Sequence, residues 1–326
     1  MNIAAIGAGR MGRSIAAAFA LAGKAFTLID LRPRSEQAWA TLQQDARSEL
    51  RGIFERLMGL GLLQAGEIPR LEACIRLVSG ADAAAALATT ELLFEAVPET
   101  LAAKREAFAA AGQHLPTSAI VASTSSTMLA SELAALVSAP ERFLNAHWLN
   151  PAYLIPLVEI APHAGTDAGV LQRLQAMLEA VGKVPVLCSG QPGYIVPRLQ
   201  VMVMNEAARM IEQGAASAAD IDKAIRYGFG PRYAAMGVVE FIDFGGLDVL
   251  YHGSGYLAQS LQDTRYACPA IVTEKMQAGE LGLKTGQGFY AWSPERSREF
   301  QQDAMKRLVD LLRVNGIEPV RSGPGR

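Results

Sequence analysis

The chain has 326 residues, 50% of them hydrophobic and 19% charged, with a formal net charge of −2. That length suits one large domain or two ordinary ones around a substantial core, and the near-neutral balance excludes the basic field of a nucleic-acid binder. Three cysteines, Cys74, Cys188 and Cys268, are far apart and in no metal-ligand spacing, so no metal site is expected and a reducing compartment is.

Residues 2–6, "NIAAI", read as a short buried strand. "GAGRMG" follows, then "RSIAAAFALAG" as an alanine-rich helix closed by Gly23, then "AFTLID" as a second strand ending at Asp30. Together they make a βαβ unit of about 30 residues. Residues 35–62 have helical periodicity and few breakers, which predicts a long helix or helical pair inserted before the next strand. "CIRLVSG", "LLFEAV", "AIVAST", "FLNAHWL", "PLVEIAP" and "VPVLCSG" are further short strands between helical stretches. The pattern changes near "GQPGYIVPRL", and helices are expected over roughly 194–213, 218–227, 236–260 and 297–314. "GLKTGQGFYAW" reads as a loop or hairpin, and the final "RSGPGR" as disordered. The fold class is α/β. A first domain over 1–190 carries the helical insertion at about 35–62, and a helical domain follows over 191–326. "MNIAAIGAGR" lacks the apolar stretch of a signal peptide, and no run of about 18 uninterrupted apolar residues exists, so a soluble cytoplasmic protein is expected.

Gly7, Gly9 and Gly12 form G-x-G-x-x-G between a strand and a helix, and Asp30 ends the next strand. Each glycine has a physical task. Gly7 makes the tight turn, Gly9 lets a pyrophosphate reach the backbone, and Gly12 lets the helix pack close to the sheet. Amides at the helix N-terminus then hold the phosphates. Asp30 accepts hydrogen bonds from the adenosine ribose and would repel a 2′-phosphate, which points to NAD rather than NADP. This is a Rossmann-type dinucleotide-binding domain. Arg32 and Arg34, just beyond, read as solvated loop charges.

"NAHWLNPAYLIPLVEI", residues 145–160, sets His147 and Glu159 in a mostly apolar segment. A turn at Asn150-Pro151 followed by a strand would return Glu159 beside His147. A carboxylate on one imidazole nitrogen fixes the tautomer and leaves the other as a general base near neutral pH, the group needed to take the proton of an alcohol while hydride leaves carbon.

With these motifs, the chain from Gly7 to about Tyr290 resembles the 3-hydroxyacyl-CoA dehydrogenase family. The resemblance implies that His147 is the catalytic base, Glu159 its carboxylate partner, and Asn150 the asparagine beside the site. "EAVPETLAAK" is similar to the family segment whose pair, here Glu99 and Lys104, binds around the nicotinamide ribose. "ASTSST" places Ser126 at the substrate-contacting serine. "PGYIVPRL" resembles the opening of the helical dimerisation domain and "KTGQGFY" a signature near its end, so a homodimer is implied. The methionines at 202, 204 and 210 then read as core or dimer-interface residues.

Two departures stand out. Pro197 occupies the asparagine position of the family motif P-G-F-x-x-N-R, where an amide contacts the substrate oxygen; proline is tolerated in a first helical turn but has no side-chain donor. Residues 35–62, which in the family help bind coenzyme A, contain no lysine, although Arg47, Arg51 and Arg56 lie there. "GPRYAAMG" resembles the branch that oxidises small hydroxy acids without coenzyme A, such as gulonate and carnitine dehydrogenases, in which Arg232 would hold a substrate carboxylate. The leading expectation is an NAD-dependent enzyme of fatty acid metabolism acting on a short 3-hydroxyacyl-CoA such as 3-hydroxybutyryl-CoA. The alternative is a dehydrogenase of a small non-CoA hydroxy acid or alcohol, and the third is an NAD-binding structural protein like those of the lens. No nucleic-acid or membrane partner is expected.

Overall fold

The computed structural model describes residues 2–318; the terminal "RSGPGR", expected to be disordered, lies outside them. All eight expected strands form: β1 (Ile3–Ile6), β2 (Phe26–Asp30), β3 (Ile75–Ser79), β4 (Leu92–Glu95), β5 (Ile120–Ser123), β6 (Phe143–Trp148), β7 (Leu157–Pro162) and β8 (Val184–Leu187). They build one sheet in the order β3-β2-β1-β4-β5-β6-β7-β8. Strands β1 to β6 are paired parallel; β7 reverses against β6, and β8 follows β7.

Helices α1 (Arg10–Leu21), α2 (Glu36–Gly59), α3 (Ile68–Ala73), α4 (Ala83–Leu87), α5 (Leu101–Gly112), α6 (Ala130–Ala134) and α7 (Ala168–Glu179) accompany the sheet, and α8 (Val196–Glu212) follows it. Strands β1, β4, β5 and β6 are buried at every residue, which is why they read as continuous apolar runs rather than alternating ones. Residues 35–62 contain a single long helix, α2, whose first turn is capped by the Ser35 hydroxyl accepting from the Ala38 amide at 3.2 Å. Leu50, Ile53, Phe54 and Leu57 make its buried stripe, and Ala17 and Ala20 of α1 are small enough to let that stripe come close. Beneath the sheet Phe19, Phe26, Phe94 and Trp148 form one aromatic cluster, with Phe19 and Phe26 centroids 5.3 Å apart.

Parallel pairing has a functional consequence. Gly7 follows β1, Asp30 ends β2, Glu95 ends β4, Ser123 ends β5 and His147 lies near the end of β6, so all five collect at the carboxyl edge of the sheet. The strand order reverses between β1 and β4, the switch point at which such sheets bind ligands.

The chain divides into two compact units at Val203/Met204. The second is helical, with α9 (Ala218–Ala224), a π-helical turn (Ile225–Phe229), α10 (Gly230–Ala235), α11 (Val238–Gly245), α12 (Leu247–Ser260), α13 (Ala270–Gln277) and α14 (Pro294–Val314). One sequence expectation is corrected here and another refined. The helix expected over 236–260 is broken by Gly246, whose φ of +98° ends α11 and redirects the chain into α12. The segment expected as a helix over 218–227 is helical throughout but changes from α to π at Ile225 and runs on into α10. Met202 and Met204 are exposed rather than core residues. "GLKTGQGFYAW" is a loop pinned by bridges of Gln287 to Gly282 and Ala291. No helix among the described residues is long and apolar enough to cross a membrane.

Candidate active site

The glycine loop is built as its motif demands. Gly7 has φ +113°, and a Cβ on it would lie 2.3 Å from the Ala96 carbonyl oxygen. A Cβ on Gly12 would lie 2.0 Å from the Gly7 carbonyl oxygen. Gly9 differs: nothing lies within 4 Å of its Cβ position, so the backbone at the start of α1 faces open space. No side chain caps that helix start and its first turn holds no acid, leaving amides for an anion. A cleft of about 530 Å³ runs from Gly7, Ala8 and Gly9 to Asp30, Arg32 and Arg34. These residues fit a dinucleotide pyrophosphate and adenosine. Arg34 is exposed, as expected of a loop charge, and also folds back across the turn to pair with Oδ2 of Asp30. That pairing engages only Oδ2 of Asp30.

At the far side of the carboxyl edge, His147 and Glu159 are direct cross-strand partners of β6 and β7. Side chains of such partners leave the same face of the sheet, which brings two residues twelve apart into contact. The distance from His147 Nδ1 to Glu159 Oε2 is 2.8 Å. Glu159 is fully buried, and its other oxygen, Oε1, accepts from the amides of Ile195 and Val196, both at 2.8 Å. The carboxylate thus orients an imidazole and closes the first turn of α8. With Nδ1 held by this carboxylate, Nε2 meets no hydrogen-bond partner among the described residues.

Between these two ends lies a polar network that the sequence showed only in fragments. Lys104 is fully buried, its ammonium 2.8 Å from Glu95 and 3.0 Å from Glu99. Glu95 also accepts from the Ser123 hydroxyl at 2.6 Å. Glu99 gathers the serine loop: its Oε1 accepts from the Ser125 hydroxyl, the Ser126 and Thr127 amides at 3.1 and 3.2 Å, and the Thr127 hydroxyl at 2.9 Å. Burial alone would raise the Glu99 carboxyl, but the Ser125 hydrogen bond and the Lys104 charge outweigh it and bring it down to about 2. Of this pair Glu99 is exposed, whereas Lys104 is buried behind it. The loop displays Ser126, which is exposed.

Glu95, Ser123, Asn145 and Tyr194 went unremarked in the sequence reading. A glutamate inside "LLFEAV" and an asparagine inside "FLNAHWL" were the available signals, since a polar residue in a buried strand needs a partner. Asn150 precedes a cis Pro151 and is exposed. The turn beyond it is held by Lys183, which donates to the Ala152 and Ile155 carbonyls at 2.6 and 3.0 Å, and by Ser14, which accepts from the Ala152 amide. Pro197 is the second residue of α8, where its missing amide costs nothing. In the helical unit, Arg232 lies 5.9 Å from the Phe241 ring and has no carboxylate partner among the described residues.

Residues 2–191 match the model of the 3-hydroxyacyl-CoA dehydrogenase NAD binding domain, and residues 193–292 that of the 3-hydroxyacyl-CoA dehydrogenase C-terminal domain. The chain belongs to the 3-hydroxyacyl-CoA dehydrogenase family. It is accordingly an NAD-dependent oxidoreductase related to 3-hydroxyacyl-CoA dehydrogenases, and NAD is the cofactor that its glycine loop serves. A crystal structure of a 3-hydroxyacyl-CoA dehydrogenase from Archaeoglobus fulgidus superposes with a TM-score of 0.76 at 31% identity, covering 98% of this chain and 100% of that one. The 5-formyl-3-hydroxy-2-methylpyridine 4-carboxylate 5-dehydrogenase of Mesorhizobium japonicum is 28% identical, covering 96% of this chain and 97% of its own. A lambda-crystallin homolog from Bos taurus is 36% identical over 73% of this chain and 72% of its own.

Proposed function

We propose that this family member oxidises the secondary hydroxyl of a short 3-hydroxyacyl-CoA, such as 3-hydroxybutyryl-CoA, to the ketone. The observation that carries the reading is the buried His147–Glu159 pair with Nε2 free. Nε2 takes the hydroxyl proton, and Glu159 stabilises the imidazolium that forms without itself being protonated. NAD, when bound, supplies the acceptor for the hydride. Ser126 and Asn150 hold the substrate oxygen at the reacting carbon. Gly7, Gly9, Gly12 and Asp30 seat the cofactor, and Glu99, backed by Lys104, binds near its nicotinamide ribose.

Specific observations favour a second reading, a small hydroxy acid or alcohol without coenzyme A. Pro197 removes an amide donor. The α2 arginine Arg51 is engaged by Glu72 through two hydrogen bonds, at 2.7 and 2.8 Å, rather than free for a phosphate. Arg232 is unpaired among the described residues and suits a carboxylate. A substrate panel with NAD, followed at the NADH absorbance band, separates the two. Reduction of acetoacetyl-CoA supports the first reading; turnover of free hydroxy acids alone replaces it with the second. Tight NAD binding with no turnover of any panel member would end both and leave a structural role.

The same proposal includes a cytoplasmic location, in keeping with three free cysteines, and a functional division near residue 190. It also includes a homodimer through the helical region. Met204 and Ile211 of α8 and Val249, Tyr256 and Leu257 of α12 are large apolar side chains exposed in the single chain, a surface suited to a second copy.

A further inference from the structure

The segment between β8 and α8 wraps the dyad from two directions. Its amides at 195 and 196 bind the carboxylate of Glu159, and the side chain before them, Tyr194, lies on the imidazole. The two rings are nearly parallel, 12° apart, with centroids separated by 4.7 Å. The phenol hydroxyl donates to the Ser125 carbonyl at 2.6 Å and accepts from Asn145 Nδ2 at 3.0 Å. Tyr194 has φ +45° and follows Gly193 at φ +86°. A left-handed backbone is strained for a bulky residue, so its surroundings must hold it there.

We propose that Tyr194 is a positioning residue for the proton transfer: its ring holds the plane of the His147 imidazole, and its hydroxyl ties that ring to the serine loop. The proposal rests on the reading of His147 as the base.

Three features set Tyr194 apart from ordinary packing. A packing residue needs neither a parallel stack on a polar ring nor a hydroxyl satisfied on both sides. Glu159 restrains the imidazole at Nδ1 but leaves it free to swing about that hydrogen bond; a ring on its face removes this freedom and keeps Nε2 aimed. The anchor of the hydroxyl, the Ser125 carbonyl, precedes Ser126. The stack therefore links the base to the substrate-facing serine, two groups from different strands that must address one hydroxyl. The phenol is not itself a proton donor in the reaction. Burial pushes it well above its ordinary value, and its single proton is committed to Ser125.

Two substitutions separate ring from hydroxyl. Tyr194→Phe keeps the stack and cuts the tie. It should raise the substrate KM several-fold and leave kcat within about two-fold, because a displaced serine loop weakens binding without disarming the base. Tyr194→Leu removes the stack, and kcat should fall about 100-fold, the scale of a misplaced reacting group, with NAD affinity unchanged. NMR gives a readout without turnover: the His147 ring-proton signal should carry an upfield displacement from the tyrosine ring in wild type and in the Phe variant, lost in the Leu variant. Kinetics of Tyr194→Leu within about two-fold of wild type, equal loss in both variants, or an undisplaced His147 signal in wild type would each overturn the proposal. If the Leu variant fails to bind NAD, an unchanged KM in the Phe variant overturns the tie. His147→Gln is the control. Retained activity there sinks the base assignment itself, whereas a dead His147→Gln beside a normal Tyr194→Leu sinks only the role of Tyr194.

Discussion

Glu159 in the sheet unit and Asp243 in the helical unit look alike by burial. Both carboxylates are shut away from water and each accepts three hydrogen bonds. Asp243 gives all of its capacity to fixed donors: the amides of Phe289 and Tyr290, both at 2.9 Å, and the Trp292 indole at 2.8 Å. It organises the "TGQGFY" loop, and a Cβ on Gly288 would lie 2.4 Å from it, which accounts for that glycine. Glu159 gives one oxygen to fixed amides and the other to an imidazole whose second nitrogen is free. The difference lies in the partner, not in the acid. A carboxylate bound only to amides and an indole can hold shape, while one bound to an imidazole can also support a change of charge on its partner.

This contrast makes ranked predictions. The largest effect belongs to the dyad. His147→Gln should lower kcat by orders of magnitude with NAD affinity nearly intact, and Glu159→Gln should lower it about 10³- to 10⁴-fold, as expected for a misassigned tautomer. Steady-state kinetics beside NAD titration check both, and a Glu159→Gln enzyme at wild-type rate would erase the distinction drawn here. Asp243→Ala should cost stability instead, about 3 kcal/mol, because two amides and an indole lose a charged acceptor. Thermal unfolding should show it as a drop of several degrees, with NAD affinity unchanged, and an unaltered midpoint would remove Asp243 from the frame of the loop. The smallest effect is at Glu99, a half-exposed case between the two. Its folded carboxyl lies at about 2, below its ordinary 4.5, so its stabilising contribution is present above pH 4.5 and is lost as pH falls toward 2. Glu99→Gln should flatten the acid side of the stability profile relative to wild type. Parallel profiles would mean that the serine loop is held by something else.

The two units also differ in how they bury apolar side chains. Phe19, Phe26, Phe54, Phe94 and Trp148 all lie out of water in the sheet unit, whereas in the helical unit Tyr227, Phe229, Tyr256 and Met305 stand exposed. All eight strands were legible as short apolar-rich segments, although only β1, β4, β5 and β6 are buried throughout and the edge strands β3 and β8 are partly exposed. Helices of the second unit were harder to bound. "VVEFIDFGGLDVLYHG" keeps its helical periodicity straight through Gly246, and only a positive φ, invisible in composition, shows the break. The pairing of the exposed Arg34 with Asp30 was not legible for a related reason: it depends on how the chain turns after β2.

Gly7, Gly9 and Gly12 were legible from their place between a strand and a helix with Asp30 ending the next strand, and His147 with Glu159 chiefly from the family motif around them. The rest awaited the assembled chain. Tyr194 reaches the imidazole from 47 positions away, Ser125 reaches Glu99 from 26, and Phe289 finds Asp243 from 46. Local sequence dictates what a backbone can do within a few residues; which side chains meet across such spans is decided by packing, and packing exists only once the sheet and helices have closed around them.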